Sequence, residues 1–405
     1  MRIAIIGAGP AGAMTAVRLA RAGASVTMFD ASHPREKPCG GGLTGRALAL
    51  VSDVIDIGAL PSVVVKSATV EAVDRAADVS LSDRGATPDS SLLVVSRAVF
   101  DRALANAAIR AGAQLVCERA IDITQHSAKM TVRTDRTHYE FDYVVGADGP
   151  NSIVRKKLAR PFQRAQLSVA AGYFIHGATA SSIFIKTMTE QPGYLWSFPR
   201  PDHLAIGVCA AATQHVTSGE LRAQSARWIQ RHALDRNTRP TPYAWPIPSI
   251  GYQHRRDIIL GGARWMLVGD AAGLVDPLTR EGIYFALLSG QWAAAALTDK
   301  SASASTRYGG RILGELQPEL ARAARLSGLF FAPGFSALLI DGLEESQAIR
   351  HVFADLVGGV QPYRGLRRRL LATGRWRLAS RAIRMLLRPG FTGTMTGVAS
   401  PQELS

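Results

Sequence analysis

Two glycine-bearing stretches hold the residue types that could do chemistry. In IAIIGAGPAGAMTAVRLARAG, Gly7, Gly9 and Gly12 fall directly after an apolar run and at the opening of a helical pattern. Glycines so placed permit a tight turn, bring backbone within reach of a pyrophosphate and let the helix pack on the strand. Ala11 lies in that first helical turn, where unpaired N–H groups and the helix dipole favour an anion. Asp30 closes the next apolar run, VTMFD. It stands about twenty residues beyond the first glycine, where a ribose-binding acid is expected. Strand, glycines, helix and terminal acid together predict a dinucleotide site.

The second stretch, EKPCGGGLTGRALAL, puts Cys39 directly before Gly40, Gly41 and Gly42. Three glycines in a row cost folding entropy, so the gain must lie in close approach, in positive φ or in movement. Two later segments each end an apolar run in an acid and then open a helix. In YEFDYVVGADGPNSIVRKKL the end is Asp148-Gly149; in RWMLVGDAAGLVDPLTREGIYFALLSG it is Gly269-Asp270. The second continues through Asp276-Pro277 to Gly282 and Ile283. Taken singly, each acid also reads as a solvated turn residue. Arg97 opens the pattern RAVFDRALANAA, either as a surface residue or as an anion contact.

Elements of two textures must position these residues. RIAII, ASVTMF and YVVGA read as short apolar strands, with helical patterns at about residues 11–22, 98–111 and 281–297. Between residues 165 and 251 alternating, aromatic-rich segments such as GYLWSFP and HLAIGVCA predict antiparallel strands. SVVVKSATVEAV adds a strand set near residue 65, and the chain turns helical and arginine-rich after about residue 330. In a chain of 405 residues with 47% hydrophobic and 20% charged residues, two or three packed globular units are expected. Three dispersed cysteines, Cys39, Cys117 and Cys209, fit no metal or disulfide framework and suit a reducing cytoplasm. No apolar run reads as a signal peptide or a membrane span, so an integral membrane protein is not expected.

The order of these motifs, G-x-G-x-x-G, then Asp148-Gly149, then Gly269-Asp270, resembles the FAD enzymes shaped like para-hydroxybenzoate hydroxylase. KPCGGGL, GYLWSFP and GDAAGLVDPLTREGIYFA together resemble, more narrowly, the geranylgeranyl reductase family over about residues 1–330. The resemblance implies an α/β fold with an α+β insert. A discontinuous FAD-binding domain would comprise residues 1–62, 91–160 and 255–330. Residues 63–90 and 161–254 would form an antiparallel β-sheet substrate domain, and 331–405 a helical basic region. It further implies that Asp270 meets the FAD ribitol or pyrophosphate, that Asp148 and Gly149 lie beside the cofactor, and that Arg97 lies near the pyrophosphate. The backbone from Pro277 to Ile283 would run under the isoalloxazine ring, and the loop Cys39–Gly42 would cross it. Arg280 departs from the family pattern, which has glycine there. It would stabilise the cofactor, meet an anionic substrate or lie in solvent.

The implied chemistry is reduction of prenyl double bonds by FAD, itself reduced by NAD(P)H or another electron donor. Cys39 is a candidate proton donor, with a small buried hydrophobe as its alternative. Tyr194 and Trp196, joined by Phe198, alternate on one strand face and would line a hydrophobic substrate tunnel or simply fill the core. No metal site is predicted. A monooxygenase acting on an aromatic or polyketide-like substrate is the competing function, since one fold hosts both reactions; a halogenase and a non-catalytic flavoprotein are more remote. Residues 356–405 hold nine arginines and one acid. Trp376, Ile383, Leu386 and Leu387 alternate there with Arg377, Arg381, Arg384 and Arg388, so residues 363–388 suit peripheral contact with the inner face of an anionic membrane. A packed helix with solvated arginines is the alternative, and nucleic acid is not expected. The sequence does not set an oligomeric state.

Overall fold

The computed structural model describes residues 1–82, 92–188, 193–213, 215–235, 238–299, 303–331, 333–375, 377–378 and 380–381. The apolar runs become a six-stranded sheet, in the order Gly261–Gly262, Trp265–Leu267, Tyr143–Gly146, Arg2–Ile6, Ser25–Phe29, Gln114–Val116. All neighbours pair in parallel except the edge strand Gly261–Gly262. Helices on both faces leave Ile3, Ala4, Ile5, Met28, Val144 and Val145 without solvent exposure. That is why these strands read as unbroken apolar runs. Helix Pro10–Arg21 starts at Gly9, with proline in its first turn and arginine in its last.

That helix crosses Ile283–Thr298 at close quarters. The Thr15 hydroxyl donates to the Ala11 carbonyl at 2.8 Å and to the Gly290 carbonyl, on the partner helix, at 3.2 Å. A Cβ at Gly290 would stand 2.5 Å from the Ala11 carbonyl oxygen. The contact therefore needs glycine.

The second sheet has seven strands, in the order Thr241–Pro248, Leu167–His176, His203–Ala211, Gly193–Pro199, Ser182–Thr187, Ser67–Ala72, Arg75–Ser80. Strands 67–72 and 75–80, distant in sequence, extend it through one parallel pairing with Ser182–Thr187. Alternation gives the sheet two faces. Leu195 and Val208 pack with Leu221 of helix Ser218–Arg231. The other face presents Tyr194, Trp196, Phe198, Cys209 and Tyr243. A small sheet of Gly42–Leu43, Leu93–Val95 and Ser62–Val64 carries the cysteine–glycine loop. Expectation and structure thus agree on a nucleotide-binding α/β fold with an antiparallel sheet.

Helices Pro333–Glu345 and Gln347–Val357 close the far end of the seven-stranded sheet, with Ile340, Leu343 and Phe353 packed on Val70 and Val79. In the basic stretch, helix Leu366–Ala372 ends before Gly374, which turns the chain at φ +71°. Tyr363 points inward rather than toward a surface, as described below. Trp376, Ile383, Arg384, Leu386, Leu387 and Arg388 lie outside the described residues. Among the described residues no single helix is long and apolar enough to cross a membrane.

Replacing Gly290 by alanine forces the two helices apart at the N-terminal turn of Pro10–Arg21. The expected cost is about 1–3 kcal/mol of stability in urea unfolding, the usual penalty of overpacking. A Gly290→Ala protein as stable as the parent contradicts this packing account.

Candidate functional site

At the nucleotide end, Gly7 has φ +101°, and a Cβ on it would lie 2.4 Å from the Ala147 carbonyl oxygen. Gly12 is as constrained, 2.0 Å from the Gly7 oxygen by the same construction. Neither faces the main cavity; both shape the turn behind it. Helix Pro10–Arg21 has no side-chain cap and no acid in its first turn, which leaves its N–H groups open to an anion. The Lys37 ammonium lies beside Gly9, 3.3 Å from where a Cβ would be. Burial and then Arg97 pull Lys37 below the usual lysine range, while Asp101 and Asp270 oppose them. Asp30 ends its strand and accepts N–H bonds from Ala8 and Ser32, both at 3.0 Å, without lining the cavity.

Asp148 caps helix Ile153–Leu158 through the Ile153 N–H at 2.6 Å, and its second oxygen is buried without a partner. Burial pushes its carboxyl up to about 6, against hydrogen bonds from Ser152 and Ile153. Asp270 also lies on the cavity wall, where burial raises it and Lys37 and Arg97 pull it down. The glycine cradle, the uncapped helix start and these carboxylates fit a dinucleotide such as FAD. Its pyrophosphate would be held at Gly9–Ala11 by backbone N–H groups and Lys37.

The Cys39–Gly42 loop is pinned from three sides. Gly41, at φ +79°, places its carbonyl to accept the Val95 N–H at 3.0 Å; a Cβ there would strike the Val95 oxygen at 2.3 Å. Gly40 lies flat on the Phe198 ring. Arg200, without solvent exposure, donates to the Cys39 carbonyl at 2.5 Å, pairs with Glu36 and meets His203 at 3.2 Å. Glu36 in turn accepts the Arg97 backbone N–H at 2.9 Å and the Ser96 hydroxyl. Cys39 Sγ accepts the Gly41 N–H at 3.3 Å and stands within hydrogen-bonding reach of the Arg97 guanidinium. Arg97 is buried and makes a bidentate pair with Asp101 at 2.8 and 2.9 Å. Burial lowers it, but Asp101 and then Cys39 raise it further, so it stays charged.

The turn 276–282 forms the opposite wall, with Gly269 at φ +55° as the pivot before it and Pro277 inside it rather than on the cavity. Buried Asp276 accepts the Leu278 and Thr279 N–H groups at 2.8 and 3.0 Å, and the Tyr363 hydroxyl at 2.8 Å. Thr279 offers its carbonyl to the Tyr194 hydroxyl at 3.2 Å, which ties the aromatic strand to the turn. Glu281 pairs with Arg46 and accepts the Thr44 hydroxyl at 2.8 Å. Gly282 and Ile283 start the helix that follows and line the cavity.

Arg280, where the resemblance leads one to expect glycine, has a backbone that suits glycine. Its φ of +60° is a left-handed conformation that costs a side-chain residue about 1–2 kcal/mol. Its guanidinium donates to Ser249 Oγ and reaches Cys209, so it turns toward the seven-stranded sheet and not to solvent.

These walls enclose a cavity of about 300 Å³. Gly9, Ala11, Cys39–Gly42, Arg97, Asp148, Gly149, Tyr194, Trp196, Asp270, Gly282 and Ile283 border it, whereas Gly7, Gly12, Asp30, Gly269 and Pro277 do not. Sequence reading missed Arg200, Glu36, Thr279 and Tyr363. Only Arg200 carried a signal, an arginine between two prolines directly after the aromatic strand.

Residues 1–287 match the family model described as FAD binding domain. A menaquinone reductase from Mycolicibacterium smegmatis is 29% identical over 315 residues, 73% of this chain and 76% of that protein. A digeranylgeranylglycerophospholipid reductase from Methanothrix thermoacetophila is 28% identical over 326 residues, 75% of this chain and 79% of that one. The crystal structure of a geranylgeranyl bacteriochlorophyll reductase-like protein from Thermoplasma acidophilum superposes with a TM-score of 0.74. It covers 92% of this chain and 98% of that one at 21% identity, a likeness of fold. The matched segment contains the glycine cradle, the cysteine–glycine loop and the turn that face one another across the cavity, and the chain belongs to the FAD binding domain family as an FAD-dependent oxidoreductase.

Proposed function

We propose that this protein reduces carbon–carbon double bonds of a prenyl or related hydrophobic substrate, with NAD(P)H or another donor supplying the electrons. The observation that carries this reading is the Cys39–Gly42 loop, locked by Arg200 against the aromatic strand at the head of an apolar cavity. The names of the sequence relatives, reductases of menaquinone and of a digeranylgeranyl lipid, support it. When bound and reduced, FAD supplies the hydride.

The chain's own residues supply orientation and the proton. An isolated alkene accepts hydride at one carbon only if the other receives a proton. We assign that proton to the Cys39 thiol: its S–H bond breaks as the C–H bond forms. The sulfur left behind accepts the Gly41 N–H at 3.3 Å. Tyr194 is a positioning residue in this scheme, because its hydroxyl is committed to the Thr279 carbonyl and burial holds the phenol far above its ordinary range. Trp196 and Phe198 form the apolar wall against which the alkene rests. Peripheral contact of the arginine-rich C-terminal stretch with an anionic membrane suits a substrate drawn from a lipid phase.

The test is an anaerobic single turnover. Dithionite-reduced, FAD-loaded protein is mixed with geranylgeranyl diphosphate or a digeranylgeranyl phospholipid, and flavin absorbance and product mass are followed. Reoxidation without oxygen, with a product two mass units heavier per bond reduced, is expected. No reoxidation until air is admitted sinks the reading for both substrates. Cys39→Ser should retain FAD and slow the same step by about 10²–10⁴-fold, the usual worth of a placed proton donor. Tyr194→Phe should cost about 2–10-fold, one hydrogen bond's worth. An unslowed Cys39→Ser enzyme removes the thiol from the mechanism.

A further inference from the structure

We propose that Arg280 anchors an anionic phosphate head, so that the substrate lies across the seven-stranded sheet with its charged end between Arg280 and Trp245 and its tail under helix Gln347–Val357. The proposal rests on the reductase reading for the class of molecule, and on this chain's own residues for the anchor. Backbone strain kept at a functional site is a pointer to a role there, and Arg280 holds φ +60° where glycine would be free of it. The side chain uses that conformation to enter the cavity. It donates to Ser249 Oγ and reaches Cys209, while its Nε is buried without a partner. Among the described residues no carboxylate lies within ion-pair distance of it. A half-buried cation with no carboxylate partner is arranged to receive an anion, and a guanidinium offers phosphate oxygens a forked pair of donors.

The cofactor's phosphates would have their own cation. Lys37 stands beside Gly9 at the start of helix Pro10–Arg21, whereas Arg280 faces the sheet. Polarity along the cavity points the same way. At the strand Thr241–Pro248, Arg35 lies over the Trp245 ring, 4.9 Å from its centroid, a second cation bordering this end. At the other end Val70, Ile185, Phe353 and Val357 give only apolar surface. The strands that carry Trp245 and Val70 are five places apart in the sheet order. At about 4.8 Å per strand this spans about 24 Å, room for a long extended tail. A quinone, with no charged head, leaves Arg280 unused. A prenyl diphosphate and an isoprenoid phospholipid both present phosphate oxygens, and the probes separate them.

The test uses saturated probes on the FAD-loaded full chain, so no turnover is needed: phytanyl phosphate, phytanol, and diphytanylglycerol phosphate in detergent micelles, with affinities from titration calorimetry. The parent should bind phytanyl phosphate at least tenfold more tightly than phytanol. Arg280→Gly, which suits the backbone and should melt no lower than the parent, should abolish that preference while affinity for phytanol stays. Arg280→Lys should retain part of it. Comparable binding of diphytanylglycerol phosphate assigns the head to a lipid, and its exclusion assigns a single-chain phosphate; both support the anchor. Equal binding of phosphate and alcohol by the parent, or a phosphate preference undiminished in a folded Arg280→Gly protein, overturns it. Failure of double-bond reduction leaves this binding result standing, so the two readings fail separately.

Discussion

One buried cation holds the two halves of this site together. Arg200 comes from the end of the aromatic strand, yet its donors reach the Cys39 carbonyl and the Glu36 carboxylate, both in the loop that leaves the nucleotide sheet. Loss of one partner of such a buried pair typically costs 3–5 kcal/mol, because the other charge is left without compensation. A lysine cannot replace it: the planar fork serves a carbonyl, a carboxylate and His203 at once. With the packing of Gly40 on the Phe198 ring, this tie sets the distance between the cysteine–glycine loop and the sheet that carries Tyr194, Trp196 and Phe198.

The glycines of the loop follow from the same constraint. Arg200 draws the Cys39 carbonyl toward the sheet while the Gly41 carbonyl takes the Val95 N–H on the other side, and only a left-handed residue connects the two. Across the cavity the turn 276–282 is held as firmly, by Tyr363 from the C-terminal region, Tyr194 from the sheet and Arg46 from helix Gly45–Val51. Loop and turn are thus independent walls, each anchored in at least two elements. A site of this kind positions substrate by rigidity.

What was legible in the sequence was local. Gly7, Gly9, Gly12 and Asp30 lie within one strand–helix–strand unit, and their spacing alone reports the turn. Alternation in GYLWSFP gave the face that Tyr194 and Trp196 share. Contacts between distant segments were not legible. Arg200 meets Cys39 from 161 residues away and Tyr363 meets Asp276 across 87, and nothing in either neighbourhood encodes the partner. Tyr363 stood in a run of arginines that reads as surface, so its burial against an acid gave no pattern to find. Arg280 was visible as a departure from the family glycine, but whether it turned inward depended on Ser249, which the sheet supplies.

Loop, aromatic strand and turn close on one chamber, where on the proposed reading cofactor and alkene meet. A crystal structure of the FAD-loaded protein with a saturated prenyl compound tests this most directly. The pyrophosphate is expected at Gly9–Ala11, the isoalloxazine ring between the Cys39–Gly42 loop and residues 276–282, and the prenyl chain against Trp196 within reach of Cys39. A ring lying outside those two walls, or a chain bound on the far face of the sheet beside Leu195 and Val208, would contradict that reading.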